Sequence, residues 1–220
     1  MMESLGVYWT FSFGNHDTEA YSYYSREDIC DYYESQNFKY CLFNRGFHGG
    51  DKGYGNNIIK VKNSAGIVTQ AIVTLDSHSY IDGDILGLAW KYDNLHDSQV
   101  NWYKTEIQKL VSANMAIDPT ATELKNLAFL HIPTMEYRDA WKEYVEAGNK
   151  DTANVKFDFG VMGESDGNKN GVKTWGIYCG MEPCSFFEAG LESGLQGIFC
   201  GHDHYNNFSV FYNGGEGDKY

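Results

Sequence analysis

Three short stretches of this sequence carry side chains suited to chemistry. The first is Gly201-His202-Asp203-His204, reached from the apolar run Gly197 to Cys200. A glycine at a strand's end lets the chain turn sharply and approach an ion closely. The i, i+2 spacing of His202 and His204 sends two imidazoles from one turn toward neighbouring points, so one loop can serve two metal ions. The second stretch, Gly14-Asn15-His16-Asp17, follows Trp9 to Phe13. The third is His131, set between Leu127 to Leu130 and Ile132-Pro133. A dinuclear hydrolytic centre needs several neutral or anionic ligands from separate strand ends, plus a bridging carboxylate. His131, His202 and His204 are the imidazole candidates, and Asn15 can offer an amide oxygen. In an extended turn His16 points away from Asn15, toward a substrate oxygen, and Asp17 can orient it by accepting its other N–H. Singly, each stretch has a plain structural explanation, as a strand-end histidine or as Asn and Asp favouring a turn. Together they point to a metal site.

The elements around these stretches must bring them to one place. All three are apolar strand candidates with polar side chains at their C-terminal ends, the edge where open α/β sheets hold ligands. Residues 7–13 and 38–43 read as strands, and Ser25 as the N-cap of a helix running to about residue 36. The glycine-rich loop 46–57 leads into a strand rather than a helix, so it is a surface connection and not a phosphate cradle. Strands are expected over 58–61 and 67–75, joined by a hairpin at Asn63 to Gly66. From Asp97 onward Val100, Tyr103, Ile107, Leu110, Val111 and Asn114 recur at helical spacing, with Trp102 beside them. A strand over 127–132, a helix over 136–147, a long loop over 148–174, a short helix over 186–192 and strands over 195–200 and 208–212 complete the chain. The tail 213–218 reads as loose. The fold class is α/β, with mixed β-sheets flanked by helices.

Composition limits the partners. A chain of 220 residues with 42% hydrophobic content suits one domain, 1–220, with a real core. The net charge of −13 argues against nucleic acid, because no basic stripe exists to neutralise phosphates. A phosphoester would need a local cation to overcome that repulsion. No apolar run is long enough to cross a bilayer, and Met1 to Leu5 carries no signal-peptide pattern. The chain as written reads as cytoplasmic, or as exported if an upstream signal peptide has been lost. The five cysteines read as reduced thiols, with a Cys30–Cys41 or Cys179–Cys184 bridge as the alternative in an exported protein.

With these residues in view, the sequence resembles the calcineurin-like metallophosphoesterases. That family carries GNH[D/E], a single His before a proline, and GHxH, matched here by Gly14 to Asp17, His131-Ile132-Pro133 and Gly201 to His204. The longer forms His131 to Tyr137 and Gly201 to Phe208 resemble its purple-acid-phosphatase-related branch, as do Leu75-Asp76-Ser77 and Gln99 with Trp102. The resemblance covers nearly the whole chain and implies a four-layer αββα fold with its first strands missing. It implies that Asn15, His131 and His202 bind one metal and His204 another, drawn from Fe, Zn or Mn. His16 would be the acid that helps the leaving group, with Asp17 behind it, while a metal-held hydroxide attacks phosphorus.

One departure shapes the functional expectation. The family's earlier Asp-x-His and Gly-Asp motifs, the second of which bridges the metals, have no counterpart before Gly14. Asp76-Ser77-His78 with Gly83-Asp84 is a formal substitute, implying a rearranged site. The main expectation is a metal-dependent phosphoesterase of which this chain is the C-terminal part, weak or inactive alone and binding one metal at most tightly. Its partner would be a phosphoester, as a small molecule or phosphoprotein, and neither nucleic acid nor membrane. The rivals are a non-catalytic binding module, suited by its 17 tyrosines, and a degenerate subunit completed by another chain.

Overall fold

The computed structural model of the protein describes residues 1–19, 21–81, 91–169 and 171–213. The expected Gly83-Asp84 element and the tail beyond residue 213 lie outside them. A four-stranded mixed sheet in the order β1-β2-β3-β7 frames the molecule. β1 (Asn57–Lys62) and β2 (Val68–Thr74) form the expected antiparallel hairpin. The side chain of Asn63 closes its turn by accepting from the N–H groups of Ala65 and Ile67. β2 then pairs in parallel with β3 (Asn126–Leu130), and β3 in parallel with β7 (Leu195–Cys200). Parallel neighbours need crossover connections. α3 (Asp97–Ile117) supplies the first, and α4 (Met135–Glu146) and α5 (Phe186–Glu192) lie in the second. The chain is thus α/β, with helices flanking a mixed sheet.

α3 packs on the sheet through the face its periodicity predicts, burying Val100, Tyr103, Ile107, Val111 and Asn114. Leu110 and Trp102 sit at the margin, partly buried against the same cluster. Two buried polar groups on α3 are matched. The Tyr103 hydroxyl donates to Asn126 Oδ1 at 2.7 Å. Asn114 donates to the Val68 carbonyl and accepts from its N–H, each at 2.8 Å, so a helix side chain completes the start of β2.

Two expectations for strands fail. Between residues 7–13 and 38–43 the backbone pairs only at an isolated Trp9–Cys41 bridge. Their rings pack instead under α2 (Arg26–Ser35), where Phe11 stacks on Phe43 at 4.1 Å around the buried Phe13 and Cys30. Aromatic burial, not a ladder, holds this backbone extended. Ser25 caps α2 as expected, accepting from Asp28 N while Asp28 accepts from Ser25 N. The expected loop 148–174 also differs. It contains β4 (Val155–Val161), paired antiparallel with β8 (Asn207–Tyr212), and the small hairpin β5 (Asn168–Lys169) and β6 (Val172–Lys173). Val155, Phe157, Phe159 and Val161 alternate as a strand should. Their partner lies about fifty residues away and the register slips between Phe157 and Phe159, so local composition masks the pairing. A single turn, α1 (Met2–Leu5), opens the chain. All five cysteines are free thiols. Among the described residues no helix is long and apolar enough to cross a membrane.

The two clusters are joined by a buried ion pair. Arg26 Nη1 lies 2.5 Å from both carboxylate oxygens of Asp76, with the Arg26 side chain 7% and Asp76 0% exposed. Arg26 Nη2 donates to the carbonyls of Gly14 and His78 and to Ser79 Oγ. Asp76 also accepts from the N–H groups of Tyr54 and His78. Gly53 approaches so closely that a Cβ there would come within 2.3 Å of Asp76 Oδ2. Removing one partner strands the other charge, which costs about 3–5 kcal/mol, whereas an apolar pair of similar volume is often tolerated. Asp76→Ala is expected to lose about 3–5 kcal/mol in urea unfolding, and Arg26→Met with Asp76→Leu to lose much less.

A second, partly buried carboxyl works the other way. Burial raises Glu136, in the first turn of α4, above its ordinary value of 4.5. Below pH 4.5 the group is protonated in both folded and unfolded states. As pH rises through the raised folded-state value, the native protein must bury a charge and stability falls. Glu136→Gln is therefore expected to match wild type near pH 4 and to be more stable at pH 8, read from denaturation midpoints at the two pH values.

Candidate metal centre

β3 and β7 run side by side in the same direction, with Leu130 opposite Cys200. The next residues therefore leave the sheet at the same edge. Gly201 N donates to the His131 carbonyl at 3.1 Å, which holds the two turns together beyond the last strand pair. His202 then takes φ 71°, in the left-handed region that few non-glycine residues occupy. Asn15 arrives from outside the sheet, in a short 3₁₀ turn over Asn15–Thr18. Two contacts place that turn. Ser12 Oγ donates to the Phe129 carbonyl of β3, and Arg26 holds the carbonyl of Gly14.

The three side chains converge on one atom. Asn15 Oδ1 lies 3.0 Å from His131 Nε2 and 3.0 Å from His202 Nδ1. The amide of Asn15 is 1% exposed. It is oriented by Tyr80, whose hydroxyl accepts from Asn15 Nδ2 at 3.1 Å. Burial lowers the pKa of His131, and lowers that of His202 to about 3. Both rings are therefore neutral near pH 7. Tyr92 packs edge-on against His202 at 4.4 Å. One amide oxygen and two neutral imidazoles suit a zinc-, iron- or manganese-class cation. Ligands at about 2.1 Å on adjacent corners of a coordination shell stand roughly 3.0–3.4 Å apart, close to the spacing seen here.

His16 and His204 lie on the open side of this trio. Both are exposed, and their ring centroids are 6.5 Å apart. His204 lies near enough to His131 and His202 for its charge to lower the pKa of each. The expected orienting residue for His16 differs. Asp17 Oδ2 accepts from Gly14 N at 2.7 Å, closing its own turn. Glu19 stands 2.9 Å from His16 Nδ1 instead. A 3₁₀ turn brings i and i+3 together, which favours Glu19 over the adjacent Asp17. Burial opposes the charge on Glu19, but hydrogen bonds from Tyr21, His16 and Tyr80 outweigh it and hold its pKa below the ordinary value. The Tyr80 hydroxyl donates to Glu19 at 3.0 Å. A chain of hydrogen bonds thus runs from His16 through Glu19 and Tyr80 to Asn15.

The Asp76-x-His78 alternative is not joined to this trio. The Asp76 carboxylate is held by Arg26, and His78 Nε2 meets Gln99 Oε1 at 2.9 Å. Sequence reasoning missed Glu19, Tyr80 and Tyr92, because their contacts are made across loops with no periodicity to read. It also treated Asp203 only as the acid between two histidines. Its carboxylate accepts from Tyr178 N and Asn206 Nδ2, fixing the turn that presents His202. Burial raises Asp203 to about 6. No protein-family model, curated protein or solved structure matches the chain.

Gly14 is tight against this arrangement. A Cβ there would lie 2.9 Å from the ring of His131. Its φ of −114° is open to any residue, so the constraint is space and not backbone. Gly14→Ala is expected to cost about 1–3 kcal/mol by overpacking and to push His131 off Asn15. Urea unfolding reads the first effect, and altered His131 imidazole resonances the second.

Proposed function

We propose that this chain carries the metal-binding and acid half of a phosphoester hydrolase of the calcineurin-like metallophosphoesterase kind, with the αββα layering of that family. The observation that carries the reading is the convergence of Asn15, His131 and His202 on a single point. Three motifs, the outer two 187 residues apart in sequence, would have no reason to meet if each were only turn chemistry. In this reading Asn15, His131 and His202 hold one cation. When bound, that ion supplies positive charge for phosphoryl oxygens and lowers the pKa of water. It also offsets the −13 net charge that would otherwise repel a phosphoester.

The chain's own groups do the rest. His16 is exposed beside the centre, where a leaving-group oxygen can reach it for a proton. Glu19 orients the ring by meeting Nδ1, which leaves Nε2 to face substrate. His204 adds a second imidazole on the same open side and would take the second ion of a dinuclear centre. Among the described residues no Asp or Glu joins His131 and His202 in a three-donor cluster. In this reading one ion is held tightly at this centre and turnover is slow. Exposed Tyr21, Tyr23 and Tyr24 favour a second reading, a ligand-binding module with no chemistry of its own.

The test is hydrolysis of p-nitrophenyl phosphate with added Zn²⁺, Mn²⁺ or Fe²⁺, together with metal stoichiometry by equilibrium dialysis. Slow, metal-dependent turnover is expected. His131→Ala with His202→Ala should abolish it and remove one metal equivalent, while His16→Ala should lower turnover about 100-fold and leave metal binding intact. Metal binding unchanged by the double substitution would sink the reading, and ligand binding that survives it would favour the module.

A further inference from the structure

A second set of donors meets beside the first, and the phosphoesterase reading leaves it unused. His78, Asp93 and His96 each present one donor atom within 4.8 Å of the other two. The imidazoles of His78 and His96 lie face to face, with centroids 4.2 Å apart and 17° between planes. Asp93 Oδ1 is 3.0 Å from His96 Nε2. All three residues are partly buried yet reachable from solvent. Two imidazoles and one carboxylate are a donor set for borderline divalent cations, with positions left open for water.

One glutamine holds the ring of His78 and the backbone of His96. Gln99 Nε2 donates to the Asp76 carbonyl at 2.7 Å and to Asn56 Oδ1 at 2.9 Å. A backbone carbonyl only accepts, so the amide cannot be flipped, and its Oε1 faces His78 Nε2. That nitrogen therefore carries the proton, and the lone pair of His78 sits on Nδ1. The same Oε1 accepts the backbone N–H of His96 at 2.8 Å. Such outer partners orient metal-binding histidines. The backbone of His78 is held at φ 61°. Arg26 holds its carbonyl and Asp76 its N–H, so surrounding bonds maintain an unfavourable conformation.

We propose that His78, Asp93 and His96 bind one divalent transition-metal ion of the zinc class, at a site separate from the Asn15 centre. A tetrahedral ion with ligands at about 2.0–2.1 Å draws them to roughly 3.3 Å of one another. Asp93 and His96 are already that close, so His78 makes most of the adjustment. The N-terminus of α3 disfavours a cation beside His96, and the Asp93 carboxylate compensates. The ion would brace the first centre. Asp93 N donates to the Ser79 carbonyl at 3.1 Å, and Tyr80 bridges to Tyr92. Those two tyrosines contact Asn15 and His202.

Co²⁺ binding, read by equilibrium dialysis and visible absorption, tests the site with each centre removed in turn. His131→Ala with His202→Ala should leave one Co²⁺ equivalent. Adding Asp93→Asn and His96→Gln should then weaken that equivalent at least tenfold and abolish its visible bands. Because the combined variant risks misfolding, wild-type protein is also titrated with Zn²⁺ and followed by long-range ¹H–¹⁵N spectra. The ring nitrogens of His78 and His96 should shift together with saturation. Ring nitrogens unmoved at saturating Zn²⁺, or Co²⁺ bands that persist in the folded four-site variant, would overturn the proposal. Loss of the Asn15 centre alone would remove only the equivalent sensitive to His131 and His202, so the two readings fail separately.

Discussion

The buried pairing of Arg26 with Asp76 is the constraint on which the rest of the arrangement depends. Asp76 stands just past the end of β2, and Arg26 in the first turn of α2. Their contact is one of the points where the aromatic N-terminal segment meets the sheet. Through one guanidinium Nη2 the pair fixes the carbonyls of Gly14 and His78. Gly14 precedes Asn15, and His78 opens the second donor cluster. A buried pair of this kind is weak support for stability and better support for specificity. Here its directional hydrogen bonds decide where two loops without regular secondary structure must sit.

The sheet supplies the other half of the geometry. Parallel strands end at a common edge, and the Leu130–Cys200 register places His131 and His202 one step beyond it. Ring orientation then follows from burial and from the left-handed turn at His202. Burial keeps both imidazoles neutral, and the ring nitrogens facing Asn15 Oδ1 donate their N–H groups to it, so a cation at this point would take the place of those protons.

Much of the helical and sheet pattern was legible. α3 was visible because six positions at 3.6-residue spacing outweigh any local ambiguity. The β1–β2 hairpin was visible because turn chemistry and β-branched residues agreed. The 7–13 segment looked like a strand for a similar reason, yet its rings found Phe43 and Tyr33 rather than a neighbouring ladder. β4 was hidden because its glycine- and aspartate-rich surroundings read as loop, and only β8 completes its hydrogen bonds. Of the candidate site, Asn15, His131 and His202 could be chosen by residue type and position after apolar runs. Glu19, Tyr80 and the His78–Asp93–His96 cluster could not, since irregular loops carry no period.

The sequence by itself determined which donors exist, that the strands before His131 and His202 deliver two of them, and the net charge of −13 around them. Those properties follow from side-chain chemistry, local periodicity and net charge, all of which are additive along the chain. Only the tertiary structure decided that three side chains meet at one point, that Glu19 rather than Asp17 meets His16, and that Gln99 joins the ring of His78 to the backbone of His96. Those outcomes depend on register between remote strands and on the single way a buried guanidinium can satisfy its partners, and neither is encoded in any one stretch.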